Sequence, residues 1–183
     1  MKLHAVIVGL MLAAAPAVAQ DAVVAVQPQF GNGVHEGCLL RFDVAFRDFA
    51  YDRGRLVQGS GAFVVYNFQT TGVAMMLKIG IVPLDAPGAT AMAPTTAYFI
   101  NGYDTNADEI IRTAPGETPG STLVIFNGGE QTVAAAGSIG AVGLNIAYTR
   151  DGGAGGQQFH VPVTNQEAEQ WLGCLDALSK RDD

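Results

Sequence analysis

The sequence carries little charge, and positive charge is the scarcer kind. Only 15% of its 183 residues are charged, and 10 Lys and Arg stand against 17 Asp and Glu, for a formal net charge of −7 at pH 7. Nucleic-acid binding requires clustered basic side chains that displace the counterions of the phosphates, and docking to anionic lipid headgroups has the same requirement. We therefore expect neither nucleic acid nor an anionic membrane surface as a partner.

No hydrophobic run is long enough for a membrane-spanning helix, which requires about 20 apolar residues. The unbroken apolar run at residues 5–15 is shorter than that and ends at the helix-breaking Pro16. It follows a basic start and leads into small residues at positions 17 and 19, which is the pattern of a cleavable signal peptide. The sequence therefore predicts a signal peptide over residues 1–19, cut before Gln20, and a periplasmic or secreted protein with no integral membrane span after cleavage.

Cysteine is rare, since Cys38 and Cys174 are the only two and they form no Cys-x-x-Cys motif. Two cysteines alone cannot complete a structural zinc site. In an oxidising compartment, however, an even pair indicates a disulfide, and one that closes so long a loop contributes about 4–5 kcal/mol in the chain-entropy model. We predict a Cys38–Cys174 disulfide, with two buried thiols or a catalytic cysteine as the alternatives.

Long helical patterns are absent from most of the chain, and short β-rich segments separated by turn residues take their place. Residues 39–47 alternate apolar and polar side chains with the period of two that a half-buried strand requires, although Phe42, Phe46 and Phe49 also have helical spacing. Further strands are predicted at residues 62–68, 73–82, 96–101, 122–126, 131–136, 142–149 and 157–163. This pattern predicts a mostly β fold, either an antiparallel β-sandwich or a small β-barrel.

One C-terminal amphipathic α-helix, over residues 165–180, closes the predicted fold. Thr164 and Glu167 have the spacing of a capping box. Apolar residues follow at helical intervals, namely Ala168, Trp171, Leu172, Leu175 and Leu178. The predicted organisation is thus an extended lead-in at 20–37 and a single β-rich domain at 38–183 that contains this helix.

A possible serine nucleophile lies in residues 136–140 (AGSIG), which resemble a nucleophile elbow. Ser138, Asp151 and His160 also follow in the order serine, acid, histidine. An elbow requires a strand, a sharp turn and a helix, whereas this segment leads into a predicted strand. We therefore interpret residues 136–140 as a turn of small residues and predict no catalytic residue.

Two groups of residues raise the question of a metal ion. Residues 104–109 (DTNADE) resemble the opening of a calcium loop, but the sixth and twelfth positions hold Glu109 and Pro115 instead of the required glycine and glutamate. A short helical turn at 106–112 is the simpler prediction. His35 and His160 are the only histidines after residue 19, and two histidines without a placed carboxylate make a weak metal site. No metal or cofactor is predicted.

The first strand carries charges of alternating sign at Arg41, Asp43, Arg47 and Asp48. A general acid–base pair is one interpretation. Charge pairing across strands on a solvated face of the sheet is the interpretation that we prefer.

The function that remains is an exported, non-catalytic β domain that binds a partner protein of the cell envelope or a small apolar or glycan ligand. Loops at 102–121 and 150–157 are the expected contact regions, because rigid β scaffolds carry function in their loops. A small secreted hydrolase and a structural component of the cell envelope are the alternatives.

Overall fold

Two antiparallel β-sheets and two helices make up the part of the chain that the structure describes. The computed structural model describes residues 22–68, 72–85, 93–100, 105–107, 110–117, 121–128, 132–150 and 156–180, so the predicted signal peptide lies outside the described residues. The elements are β1 (Ala22–Gly31), β2 (Val34–Asp48), β3 (Arg55–Phe68), β4 (Gly72–Pro83), β5 (Thr96–Phe99), β6 (Thr105–Ala107), β7 (Ile110–Pro115), β8 (Thr122–Asn127), α1 (Thr132–Val142), β9 (Leu144–Thr149), β10 (Gln157–Val161) and α2 (Asn165–Ser179). The mostly β, sandwich-like class with a C-terminal helix is confirmed.

The larger sheet has six strands in the order β1-β2-β3-β4-β8-β7. Its second strand, β2, confirms the predicted alternation, because four even-numbered side chains of that strand are fully buried in the core: Leu40, Phe42, Val44 and Phe46. The odd-numbered side chains of the same stretch point to the opposite face and are half-buried or exposed. One face of this sheet therefore forms the core and the other faces outward.

Residues 22–31 have more regular structure than the extended lead-in that the sequence predicted. They form β1, which pairs antiparallel with β2 from Ala22 opposite Val44 to Gly31 opposite Val34. The hairpin turns at Asn32 and Gly33, which both have positive φ (51° and 80°), as a tight two-residue turn requires. β1 is an edge strand, and this is where a strand tolerates a proline such as Pro28.

The smaller sheet, in the order β10-β9-β5-β6, packs on the core side of the larger one. Aromatic rings join the two layers: Phe46 stacks on Phe159 at 4.6 Å between centroids, and Phe63 meets Phe99 edge-on at 4.9 Å. The predicted hairpin around the glycine-rich tip is confirmed as β9 and β10, which pair from Leu144 opposite Val161 to Tyr148 opposite Gln157, while the tip itself (151–155) lies outside the described residues.

The prediction of a returning strand at 131–136, followed by a turn at 136–140, is wrong, because the helix α1 spans Thr132–Val142. Short apolar runs do not by themselves distinguish a buried strand from a buried helix. Here three consecutive alanines favour the helix, since alanine has the highest helix propensity. The helix ends at Gly143, whose φ of +66° and N–H bond to the Ile139 carbonyl (2.8 Å) form a left-handed cap.

The prediction of a short helical turn at 106–112 is also wrong for the residues of this segment that the structure describes, 106–107 and 110–112. Thr105–Ala107 form β6 and Ile110–Pro115 form β7, which pairs with β8. β-Branched residues favour strands, and this segment has them at Ile110, Ile111 and Thr113. The possible calcium ligands Asp104, Asp108 and Glu109 lie outside the described residues.

The C-terminal helix and its attachment confirm the prediction. In the capping box, the Thr164 N–H donates to Glu167 Oε2 at 2.7 Å and the Glu167 N–H donates to Thr164 Oγ1 at 3.3 Å. Trp171 is fully buried, and its Nε1 donates to the Ala136 carbonyl of α1 at 2.9 Å. The Cys38–Cys174 disulfide, with Cα atoms 6.0 Å apart, joins α2 to β2. Within the described ranges, no helix is long and apolar enough to cross a membrane.

Candidate binding groove

A groove of about 600 Å³ lies on the outer face of the six-stranded sheet, opposite the core. Its floor comes from the outward-facing residues of β2, β3 and β4, and its far wall from the end of β7 and the start of β8. The side chains that matter most below are Arg41, Asp43, Gln58, Ser60, Ala62 and Lys78. The groove is therefore formed mainly by strands of the sheet, and the predicted contact region 102–121 contributes its far wall through residues 115–117 and Ser121.

Strong curvature of the sheet produces this groove. Arg41 on β2 and Glu117 just beyond β7 lie four strand positions apart, which would separate them by roughly 19 Å in a flat sheet. Their side chains nevertheless meet, with Arg41 Nη2 3.3 Å from Glu117 Oε2. The β7 edge thus curls back over the outer face, and this ion pair bridges the mouth of the groove.

The acidic side chain in the groove, Asp43, already has hydrogen-bond and ion-pair partners within the protein. Asp43 Oδ1 accepts hydrogen bonds from the Ser60 hydroxyl at 2.5 Å and from Gln58 Nε2 at 3.1 Å, and Arg41 Nε lies 3.6 Å from Asp43 Oδ2. These contacts fix the carboxylate and neutralise its charge. Arg41 and Asp43 lie two positions apart on the same strand, so their contact is not the pairing across strands that the sequence predicted.

Lys78, the basic side chain that β4 contributes to the groove, differs from Asp43 in this respect. Lys78 is half-buried in the groove and makes no hydrogen bond or ion pair with any residue that the structure describes. Ala62 lies directly opposite Lys78 in the register of β3 and β4, and Val82 and Leu123 line the same groove. The groove therefore offers an available cationic donor together with some apolar surface.

Asp48 contradicts the prediction of a solvated charge patch, because its side chain is fully buried between the sheets. Its Oδ1 accepts from the Tyr51 N–H at 2.8 Å, and its Oδ2 accepts from the Tyr148 hydroxyl at 2.7 Å. Arg150 Nη2 lies 3.4 Å from Asp48 Oδ2, and Arg150 Nη1 donates to Asp52 Oδ2 at 3.0 Å. Asp48 has an even number, as the inward-facing residues of β2 do, so the alternation of that strand already indicated that its side chain is buried.

Tyr148 is held neutral by its surroundings. Burial raises the pKa of its hydroxyl far above the usual range, and the charge of Asp48 and the hydrogen bond to it act in the same direction. Arg150 acts in the opposite direction but does not outweigh them. Because Tyr148 and Arg150 both contact the buried Asp48, the cluster joins the β2–β3 turn to the smaller sheet.

A further hydrogen-bond pair strengthens the same junction. Gln157 Oε1 accepts from the backbone N–H groups of Phe49 (2.9 Å) and Ala50 (3.2 Å), both in the turn between β2 and β3. We interpret this end of the sandwich as structural.

The two histidines lie in different sheets. His160 on β10 has its Nδ1 2.8 Å from Asn145 Oδ1. His35 on β2 lies beside the disulfide, with Nε2 3.5 Å from Cys174 Sγ, 3.8 Å from Cys38 Sγ and 3.0 Å from the Gly37 carbonyl oxygen. The structure therefore groups His35 with the two cysteines.

The context of a nucleophile elbow is missing. Ser138 lies in the interior of α1 rather than at a turn between strand and helix. His160 lies on β10 and contacts Asn145, and Asp151 falls outside the described residues.

Known proteins add nothing to this geometry. Comparison of the chain with protein-family models, with curated proteins and with solved structures found no match.

Proposed function

We propose that the chain is a non-catalytic binding domain whose groove takes a small ligand with an apolar body and an acidic group. The acidic group would contact the Lys78 ammonium, and the apolar body would lie along Ala62 and Leu123. The observation that carries this proposal is the available Lys78 side chain in a concave surface. The groove volume falls in the range of about 300–1,000 Å³ that small-molecule sites occupy.

The Arg41–Glu117 pair supports reversible entry of such a ligand. Glu117 is 88% exposed, and exposed ion pairs contribute at most about 1 kcal/mol. Glu117 can therefore leave Arg41 with little cost and open the mouth of the groove to the ligand. Asp43 keeps its partners Ser60 and Gln58 in either state.

Export is part of the same proposal. We infer that residues 1–19 are removed as a signal peptide and that the domain acts in the periplasm or outside the cell. The disulfide supports this location, because such bonds persist in oxidising compartments.

Native mass spectrometry of the protein, exported under its own leader, tests the proposal. We expect a chain that begins at Gln20, has no free thiol and carries the mass of a small molecule. Ala62→Leu, which fills the groove, should lose that mass. Ala74→Leu, on the outward face of the neighbouring strand β4 but outside the groove, should keep the mass of the small molecule. Equal occupancy in the two variants, or retention of residues 1–19, would contradict the proposal, and an added protein mass would indicate a partner protein instead.

A further inference from the structure

We propose that His35, Cys38 and Cys174 form a zinc-binding site when a dithiol reduces the disulfide. The site is independent of the groove, because Cys38 lies on the core face of β2 and the groove on the outer face. It joins the start of β2 to α2, and its three donor atoms lie within 4.8 Å of one another.

The positions of the donor atoms already suit a tetrahedral ion. Zinc binds sulfur at about 2.3 Å and imidazole nitrogen at about 2.0 Å, so a tetrahedral angle places the two ligand atoms about 3.5 Å apart. His35 Nε2 lies 3.5 Å from Cys174 Sγ and 3.8 Å from Cys38 Sγ. Only the two sulfurs must separate, to about 3.8 Å by the same geometry.

The reduction step is ordinary thiol–disulfide exchange. Cys174 is half-buried whereas Cys38 is fully buried, so a dithiol attacks Cys174 Sγ and Cys38 leaves as the thiolate. The second thiol of the reductant then releases Cys174 and becomes half of a new disulfide. Two electrons and two protons pass to the protein, which now holds two thiols.

Zinc binding completes the exchange. Zn²⁺ replaces the two thiol protons, which pass to water, because the thiolate is the ligand. The imidazole binds as the neutral ring with its proton on Nδ1, so Nε2 exchanges its contact with the Gly37 carbonyl for the metal. A water molecule takes the fourth position. The ion then holds α2 against β2 in the absence of the covalent bond.

The test uses the full chain reduced with a phosphine, which does not compete for zinc as a dithiol does, and Zn²⁺ alone as the probe. We expect one Zn²⁺ per reduced chain by native mass spectrometry, none per oxidised chain, and a higher melting temperature for the reduced chain only. His35→Ala should weaken zinc binding at least about tenfold in competition with a chromophoric chelator. His160→Ala is the matched control and should bind as the wild type does.

The test also distinguishes zinc bound by the folded chain from zinc bound by a chain that has unfolded on reduction. Near-ultraviolet circular dichroism of the buried Trp171 reports whether the zinc-bound chain is folded. Zinc held by an unfolded chain, equal affinity in His35→Ala and wild type, or no zinc in the reduced chain would each overturn the proposal.

Discussion

Among the ion pairs of the described residues, the one between Asp48 and Arg150 is the only one in which both side chains are almost completely buried. Buried charges are costly unless they are paired and hydrogen-bonded. Asp48 meets this requirement through Tyr51, Tyr148 and Arg150. The guanidinium also lies 5.6 Å from the ring centroids of Tyr51 and Tyr148, which adds cation–π contact.

Arg150→Met removes the positive partner and leaves a buried carboxylate without its counter-charge. We expect the free energy of unfolding to fall by about 3–5 kcal/mol, as measured by urea denaturation at neutral pH. Arg47→Met is the control, because Arg47 is exposed and donates a single hydrogen bond to the Gly54 carbonyl. A loss of less than about 1 kcal/mol for Arg150→Met would show that the cluster has little structural importance.

Tyr148 makes stability depend on alkaline pH. Its folded pKa is raised, so the native hydroxyl keeps its proton above pH 10 while the unfolded tyrosine, with a pKa of about 10, loses it. The unfolded state then binds fewer protons, and stability falls as pH rises, by up to about 1.4 kcal/mol per pH unit from this group. Tyr148→Phe should lack this part of the slope in denaturation curves measured from pH 8 to 11. Parallel loss in both proteins would contradict the account.

At the scale of elements, the strands with clear alternation and the capped helix could be predicted, while α1 could not. The alternating apolar residues of β2, such as Leu40 and Phe42, indicate which of its faces is buried. The capping residue Thr164 indicates where α2 begins. The α1 segment is apolar without a period, so apart from the helix propensity of its alanines only its packing on Trp171 distinguishes helix from strand.

Glycine substitutions test the helix and a close strand contact in parallel. Gly137 lies inside α1, and an added Cβ there meets nothing within 4 Å, so Gly137→Ala should stabilise the protein by about 0.5–1 kcal/mol. Gly61→Ala should destabilise it by about 1–3 kcal/mol, because its Cβ would lie 2.1 Å from the Lys78 carbonyl oxygen. Thermal denaturation measures both changes. A destabilised Gly137→Ala would contradict the helical assignment.

At the scale of the whole molecule, the groove could not be predicted from the sequence even though its polar residues could be placed on the outward face. Arg41 and Asp43 follow from the alternation of β2. The meeting of Arg41 with Glu117 depends on the order of six strands and on how far the sheet curls, which no local pattern contains. The association of His35 with the disulfide likewise depends on how α2 docks.

The most direct test of the binding proposal is an amide chemical-shift titration of the full chain with three probes of equal length: hexanoate, hexanol and hexylammonium. We expect hexanoate to shift the amides of residues 60–62 and 78–80 at the lowest concentration, and Lys78→Gln to weaken it about tenfold, as the loss of one charge-assisted contact implies. Lys180→Gln, at the exposed end of α2, should change nothing. Shifts that avoid the groove, or hexanoate affinity that is equal in wild type and Lys78→Gln, would contradict the proposal.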